Sequence, residues 1–139
     1  MLEGQGVWES LLGLGEMSEH QIQSGFTEWL NWQANQYRAL ATAYAIPNGG
    51  LRSKAQAGKL KAEGVRAGIP DYCFPFARQG FNALYIEFKD GNKPLSASQK
   101  AMVPLLRANG NRVDVAGSVE QAIAIVEDYM GMVNQMESA

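Results

Sequence analysis

Two short stretches carry residue types that could do chemistry together, Pro70-Asp71 and Glu87-Phe88-Lys89. Carboxylates are hard oxygen donors, and Mg²⁺ keeps several of its waters, so two or three of them suffice to hold it. A cation held in that way activates water and offsets the charge that develops as a phosphodiester is cut. Period two along a strand puts Glu87 and Lys89 on one face, the carboxylate for a metal and the ammonium for water or phosphate. Asp71 opens the neighbouring strand of an expected hairpin, and Gly68 and Pro70 set the turn that aims it. Each stretch also has a plainer meaning. Pro-Asp favours a turn, and Glu-x-Lys is a common solvent-facing strand pattern. Their order within one basic region favours the site over two accidents.

The elements that must position these residues follow from periodicity and caps. Ser18 and Gln21 have capping-box spacing, and Ile22, Phe26, Trp29, Leu30, Tyr37, Leu40 and Tyr44 follow at helical spacing. That pattern predicts one long helix ended by Pro47-Asn48-Gly49-Gly50. A short basic helix is expected over 52–63. Strands are expected over 71–76 and 82–89, joined through Ala77–Gly80 as a hairpin. Ser96 and Gln99 form a second capping box, opening a helix to about Asn109 in which Pro104 should produce a kink. A strand over 112–116 and a third capping box at Ser118 and Gln121, opening the last helix, complete the pattern. The order is α-α-β-β-α-β-α, an α/β fold with a mixed sheet flanked by helices. Residues 1–17 are expected to be an arm that is loose or forms an interface, 18–131 the folded domain, and 132–139 a tail.

Composition narrows the classes. The chain has 139 residues, 46% hydrophobic and 19% charged, which suits a globular domain with one sizeable core. No apolar run is long enough to span a bilayer, and no basic segment followed by an apolar one marks a signal peptide at Met1. One cysteine, Cys73, excludes an internal disulfide framework and points to a reducing compartment. One histidine, His20, argues against a His-rich zinc site. The net charge of −2 conceals an asymmetry: all 12 Lys and Arg lie between Arg38 and Arg112 beside four acids, a local excess of +8. A basic segment of that kind is the footprint of a polyanion partner, unless the acidic flanks fold over it.

The ordered set Glu19-His20-Gln21-Ile22-Gln23, Gly68-Ile69-Pro70-Asp71, Ile86-Glu87-Phe88-Lys89 and Ser98-Gln99 resembles the virus-type replication-repair nuclease (VRR-NUC) domain, from about Ser18 to Tyr129. That family belongs to the PD-(D/E)xK nuclease superfamily, so the resemblance implies a restriction-endonuclease-like core and hydrolysis of DNA phosphodiesters with Mg²⁺ or Mn²⁺. It implies Asp71 and Glu87 as metal ligands, with Glu19 and the backbone carbonyl of Phe88 as accessory ligands, and Lys89 as the catalytic lysine. Gln99 matches a glutamine near the metal or the nucleic-acid backbone. Short stand-alone relatives imply a homodimer acting on branched DNA such as four-way junctions, in the cytoplasm of a bacterial or phage-infected cell. No Walker-type loop suggests a nucleotide cofactor. Two other readings stay open: a DNA-binding scaffold that kept the fold without turnover, and a restriction-type endonuclease.

Several of these residues have structural meanings too. Glu19 suits the first turn of a helix through the dipole alone, and Gln99 is the capping-box partner of Ser96. His20 reads as an exposed helical residue and Cys73 as a small core residue. Arg52, Lys54, Lys59, Lys61, Arg66 and Lys100 are candidate phosphate contacts that position DNA without reading bases, or simply solvated faces. Asn48, with Gly49 and Gly50, could present backbone donors to a phosphate or merely end a helix.

Overall fold

The computed structural model describes residues 17–47 and 53–132. Nearly all of the expected N-terminal arm and tail, with Asn48 and Arg52, lie outside the described residues. Among the described residues, four helices, α1 (Glu19–Gln33), α2 (Lys54–Ala62), α3 (Ala97–Ala108) and α4 (Val119–Met130), flank one four-stranded sheet. Its strands are β1 (Tyr44–Ala45), β2 (Tyr72–Phe74), β3 (Leu84–Phe88) and β4 (Arg112–Ala116), in spatial order β1-β2-β3-β4. Neighbours β1/β2 and β2/β3 are antiparallel. Along β3 and β4 the bonded positions rise together, Asn82 with Gly110, Arg112 with Ala83 and Lys89 with Ala116, so that pair is parallel and the sheet is mixed. This is the α/β class that the sequence predicts.

The chain divides into two compact units interleaved in sequence. The first comprises 1–41, 88–94 and 115–139. Within it, the Ser18 cap works in both directions, with Ser18 Oγ accepting from the Gln21 N–H at 3.1 Å and Gln21 Oε1 accepting from the Ser18 N–H at 2.9 Å. Ile22, Phe26 and Leu30 form the buried stripe of α1, and Ala122, Val126 and Tyr129 that of α4. The two helices meet closely at Gly25, where a Cβ would stand 3.1 Å from Val119 Cγ2. Phe88, at the end of β3, is fully buried against Phe26 with ring centroids 5.6 Å apart.

The second unit comprises 42–87 and 95–114. Tyr72, Phe74, Leu84 and Ile86 are buried, and the alternation along β2 and β3 sets them on one face of the sheet. Cys73 and Glu87, on the other face, are buried as well. Helix α3 opens with the predicted Ser96/Gln99 box and extends four residues past Pro104.

Several boundaries differ from expectation. The first helix does not reach Tyr44. After Gln33 the backbone tightens, with the Asn35 N–H bonding to Trp32 and the Gln36 N–H to Gln33, and a 3₁₀ turn follows at Arg38–Thr42. Tyr44 and Ala45 instead form an edge strand, β1, absent from the predicted order. The hairpin strands are shorter than predicted, β2 ending at Phe74 and β3 at Phe88. At Ser118 the box is only half formed. Ser118 Oγ accepts from the Gln121 N–H, but Gln121 Oε1 turns to the Gly117 N–H at 2.6 Å. A complete box also forms at Ser53 and Gln56, ahead of α2.

Candidate active site

The hairpin register relates the positions of the two acids. Tyr72 pairs with Ile86 and Cys73 with Tyr85, so the next position sets Asp71 opposite Glu87. On the other side, the Ile46 N–H donates to the Asp71 carbonyl at 2.7 Å, continuing the β1/β2 ladder. The unpredicted strand β1 therefore fixes the Asp71 backbone. Directly opposed residues share a sheet face with Cβ atoms about 5 Å apart.

The turn into Asp71 depends on Gly68 and Pro70, as the sequence suggests. Gly68 has φ +86°, a conformation that favours glycine, and a Cβ there would collide with the Ser98 carbonyl of α3. Pro70 is fully buried. The chain can enter β2 along this path only because Gly68 lies flat on the first turn of α3.

Glu87 is 3% exposed, the one buried charged residue among the described residues. Gln99 Nε2 donates to Glu87 Oε2 at 2.6 Å. The same Gln99 side chain accepts from the Ser96 N–H through Oε1 at 2.8 Å. One side chain makes both bonds, because an amide has an acceptor end and a donor end. The capping box locks the rotamer that aims the amide at Glu87.

Within the first unit, Glu19 occupies the first residue of α1. Its carboxylate accepts from the Asp90 N–H at 3.4 Å and lies 3.9 Å from Lys93 Nζ. Lys89 follows β3 directly, and its N–H donates to the Ala116 carbonyl at 2.9 Å. Among the described residues, no three His, Cys, Asp or Glu side chains form a ready metal cluster. His20 is exposed, with Nε2 3.5 Å from Ser24 Oγ, and Cys73 is buried and free, both as expected.

Of the candidate phosphate-binding residues, Lys54, Lys59 and Lys61 are exposed on α2, Arg66 follows it, and Lys100 is exposed in the first turn of α3. Lys61 and Arg66 line the same cavity as Asp71 and Gln99, whereas Lys59 borders a smaller hollow with Gln56 and Glu63.

Tyr44 and Tyr85 are not among the candidate site residues of the sequence. The registers align Tyr44, Cys73 and Tyr85 across three strands, on the face that bears Asp71 and Glu87. Burial, then the Cys73 thiol, pushes the Tyr85 hydroxyl up to about 12. Its hydrogen bond to Cys73 raises that of Tyr44 above 10. Both stay neutral at neutral pH.

The family model of the VRR-NUC domain matches residues 15–120. The chain belongs to the VRR-NUC family. A VRR-NUC domain protein of known structure is similar over 84% of this chain and 91% of its own, with 26% identity and a TM-score of 0.69. Among curated proteins none matches. Membership carries a nuclease-type fold, and Asp71, Glu87 and Gln99 lie within the matched span. No helix among the described residues is long and apolar enough to cross a membrane.

Proposed function

We propose that this VRR-NUC chain is a Mg²⁺- or Mn²⁺-dependent endonuclease that hydrolyses DNA phosphodiesters, with Asp71 and Glu87 as its metal ligands. The observation that supports this reading is the hairpin register, which carried one position past Tyr72 and Ile86 would bring Asp71 opposite Glu87. Like charges directly opposite on a sheet are destabilising, and a buried carboxylate is costly without compensation. A pair of hard oxygen donors in that position suits a divalent cation, which would offset both charges. When bound, the metal supplies charge neutralisation and an acidified water.

The chain's own residues supply the rest. Gln99 holds Glu87 Oε2, so the carboxylate keeps one orientation as the substrate enters. Gly68 and the Ile46 bond keep the Asp71 backbone fixed. Lys89 orients the attacking water or meets the phosphate. Lys54, Lys59, Lys61, Arg66 and Lys100 contact the backbone of the DNA, an interaction that positions without reading sequence.

Branched DNA, four-way junctions among them, is the proposed substrate. A homodimer would bring two sites to one junction, and Trp32 on α1, 75% exposed, is a candidate interface residue. The test is cleavage of labelled linear duplex, single strand, splayed arms and four-way junction with Mg²⁺, Mn²⁺ or EDTA, alongside Glu87→Ala and Lys89→Ala. Cleavage that needs metal and fails in both variants is expected. Activity in EDTA, or full activity in both variants, would overturn the mechanism. Junction binding without cleavage under any metal would favour a scaffold.

A further inference from the structure

Next to the Asp71 and Gln99 side chains lies a cavity of about 770 Å³. It is walled by α2, by the segment between α2 and β2, and by the start of α3. Leu60, Ile69 and Met102 give it an apolar side, and Lys61 and Arg66 bring two cations to it. This lining combines the two chemistries of a nucleotide, a flat base and an anionic phosphate. Its volume falls within the range of roughly 300–1,000 Å³ typical of small-molecule sites. As a cube it would measure about 9 Å on edge, narrower than a DNA major groove of about 12 Å and too small for a duplex.

We infer that this cavity receives one unpaired nucleotide of the substrate strand, adjacent to the phosphodiester at Asp71 and Glu87. The inference rests on the nuclease reading above and adds to it a reason for structure selectivity. A continuous duplex must unstack and unpair a base before one can enter, whereas a branch point offers one already released. The base lies against Leu60, Ile69 and Met102, and its phosphate faces Lys61 and Arg66. Because Asp71 and Gln99 line the same cavity, an occupant there sets the position of the next phosphate along the strand.

The test is binding in EDTA, so that failure of metal-dependent cleavage leaves it intact. Two three-way oligonucleotide junctions are compared, one with an unpaired 2-aminopurine nucleotide at the branch and one with that nucleotide paired. The native chain is expected to prefer the unpaired form on the order of tenfold, with a change in 2-aminopurine emission. Ala57→Trp, from an exposed position on α2 that lines the cavity, fills the space. It is expected to abolish the preference and the emission change while leaving binding of the paired form in place. Arg66→Ala, also at an exposed position, should weaken the unpaired form more than the paired one. Equal affinity of the native chain for both junctions, or a preference that survives both substitutions, overturns the inference. A preference for free 2-aminopurine nucleotide equal to that for the junction would also overturn it, marking a mononucleotide site instead.

Discussion

Gln99→Ala removes two bonds made by one side chain, and their separate costs can be worked out from where each lies. The bond from the exposed Ser96 N–H to Gln99 Oε1, at 2.8 Å, is a surface interaction contributing about 0.5–1 kcal/mol. The 2.6 Å bond to Glu87 Oε2 reaches a carboxylate that is 3% exposed. Hydrogen bonds to charged groups contribute about 1.5–3 kcal/mol. Gln99→Ala should therefore cost about 2–4 kcal/mol in all. Ser96→Ala is the reference, since it loses the N-cap oxygen alone and should cost about 1 kcal/mol. Gln99→Glu is the sharper probe. It keeps an acceptor for the Ser96 N–H but sets a second carboxylate against Glu87. At neutral pH it should be at least as damaging as the alanine variant. Its deficit should shrink as pH falls, because one proton shared between the carboxyls removes the repulsion. Urea unfolding of the three variants at pH 7 and pH 5 measures all of this. A Gln99→Ala cost no larger than that of Ser96→Ala would refute the reasoning, since the Glu87 bond would then contribute nothing.

Further outcomes follow from single positions. Gly68→Ala should destabilise by more than about 2 kcal/mol, because it combines a positive φ with a collision at the Ser98 carbonyl; thermal unfolding reads it. Cys73→Ala should bring the Tyr44 hydroxyl down towards 10, since its hydrogen bond to that thiol is the main cause of the rise. Tyr85 should stay well above 10 in the same variant, because burial is its main cause. Ultraviolet titration of tyrosinate separates the two. Phe26→Ala, which empties a fully buried position against Phe88, should cost about 3–5 kcal/mol by urea unfolding.

What could be read from the sequence was whatever depends on local pattern. Serine caps followed by glutamine three residues on mark the starts of α1 and α3, and apolar spacing marks their buried faces. The PD turn and the alternation of β3 were legible for the same reason. Strand β1 was not, because two residues cannot show a period and its pairing with β2 is a long-range event. The end of α1 was also hidden, since the apolar spacing continues through Tyr37 and Leu40 while the backbone changes to a 3₁₀ turn. The dual role of Gln99 lies between these cases. Its spacing from Ser96 is visible in the sequence, but the reach of its amide to Glu87 depends on how α3 sits against β3. The Tyr44–Cys73–Tyr85 row required the register of β1 and so could not be anticipated.

The central claim is that Asp71, immediately before β2, and Glu87, on β3, hold a divalent cation. Mn²⁺ binding followed by electron paramagnetic resonance tests it without relying on turnover. The native chain should take up Mn²⁺, with Asp71→Asn and Glu87→Gln each weakening it by tenfold or more, on the order of 1.4 kcal/mol. Mn²⁺ uptake unchanged in both variants would contradict the account.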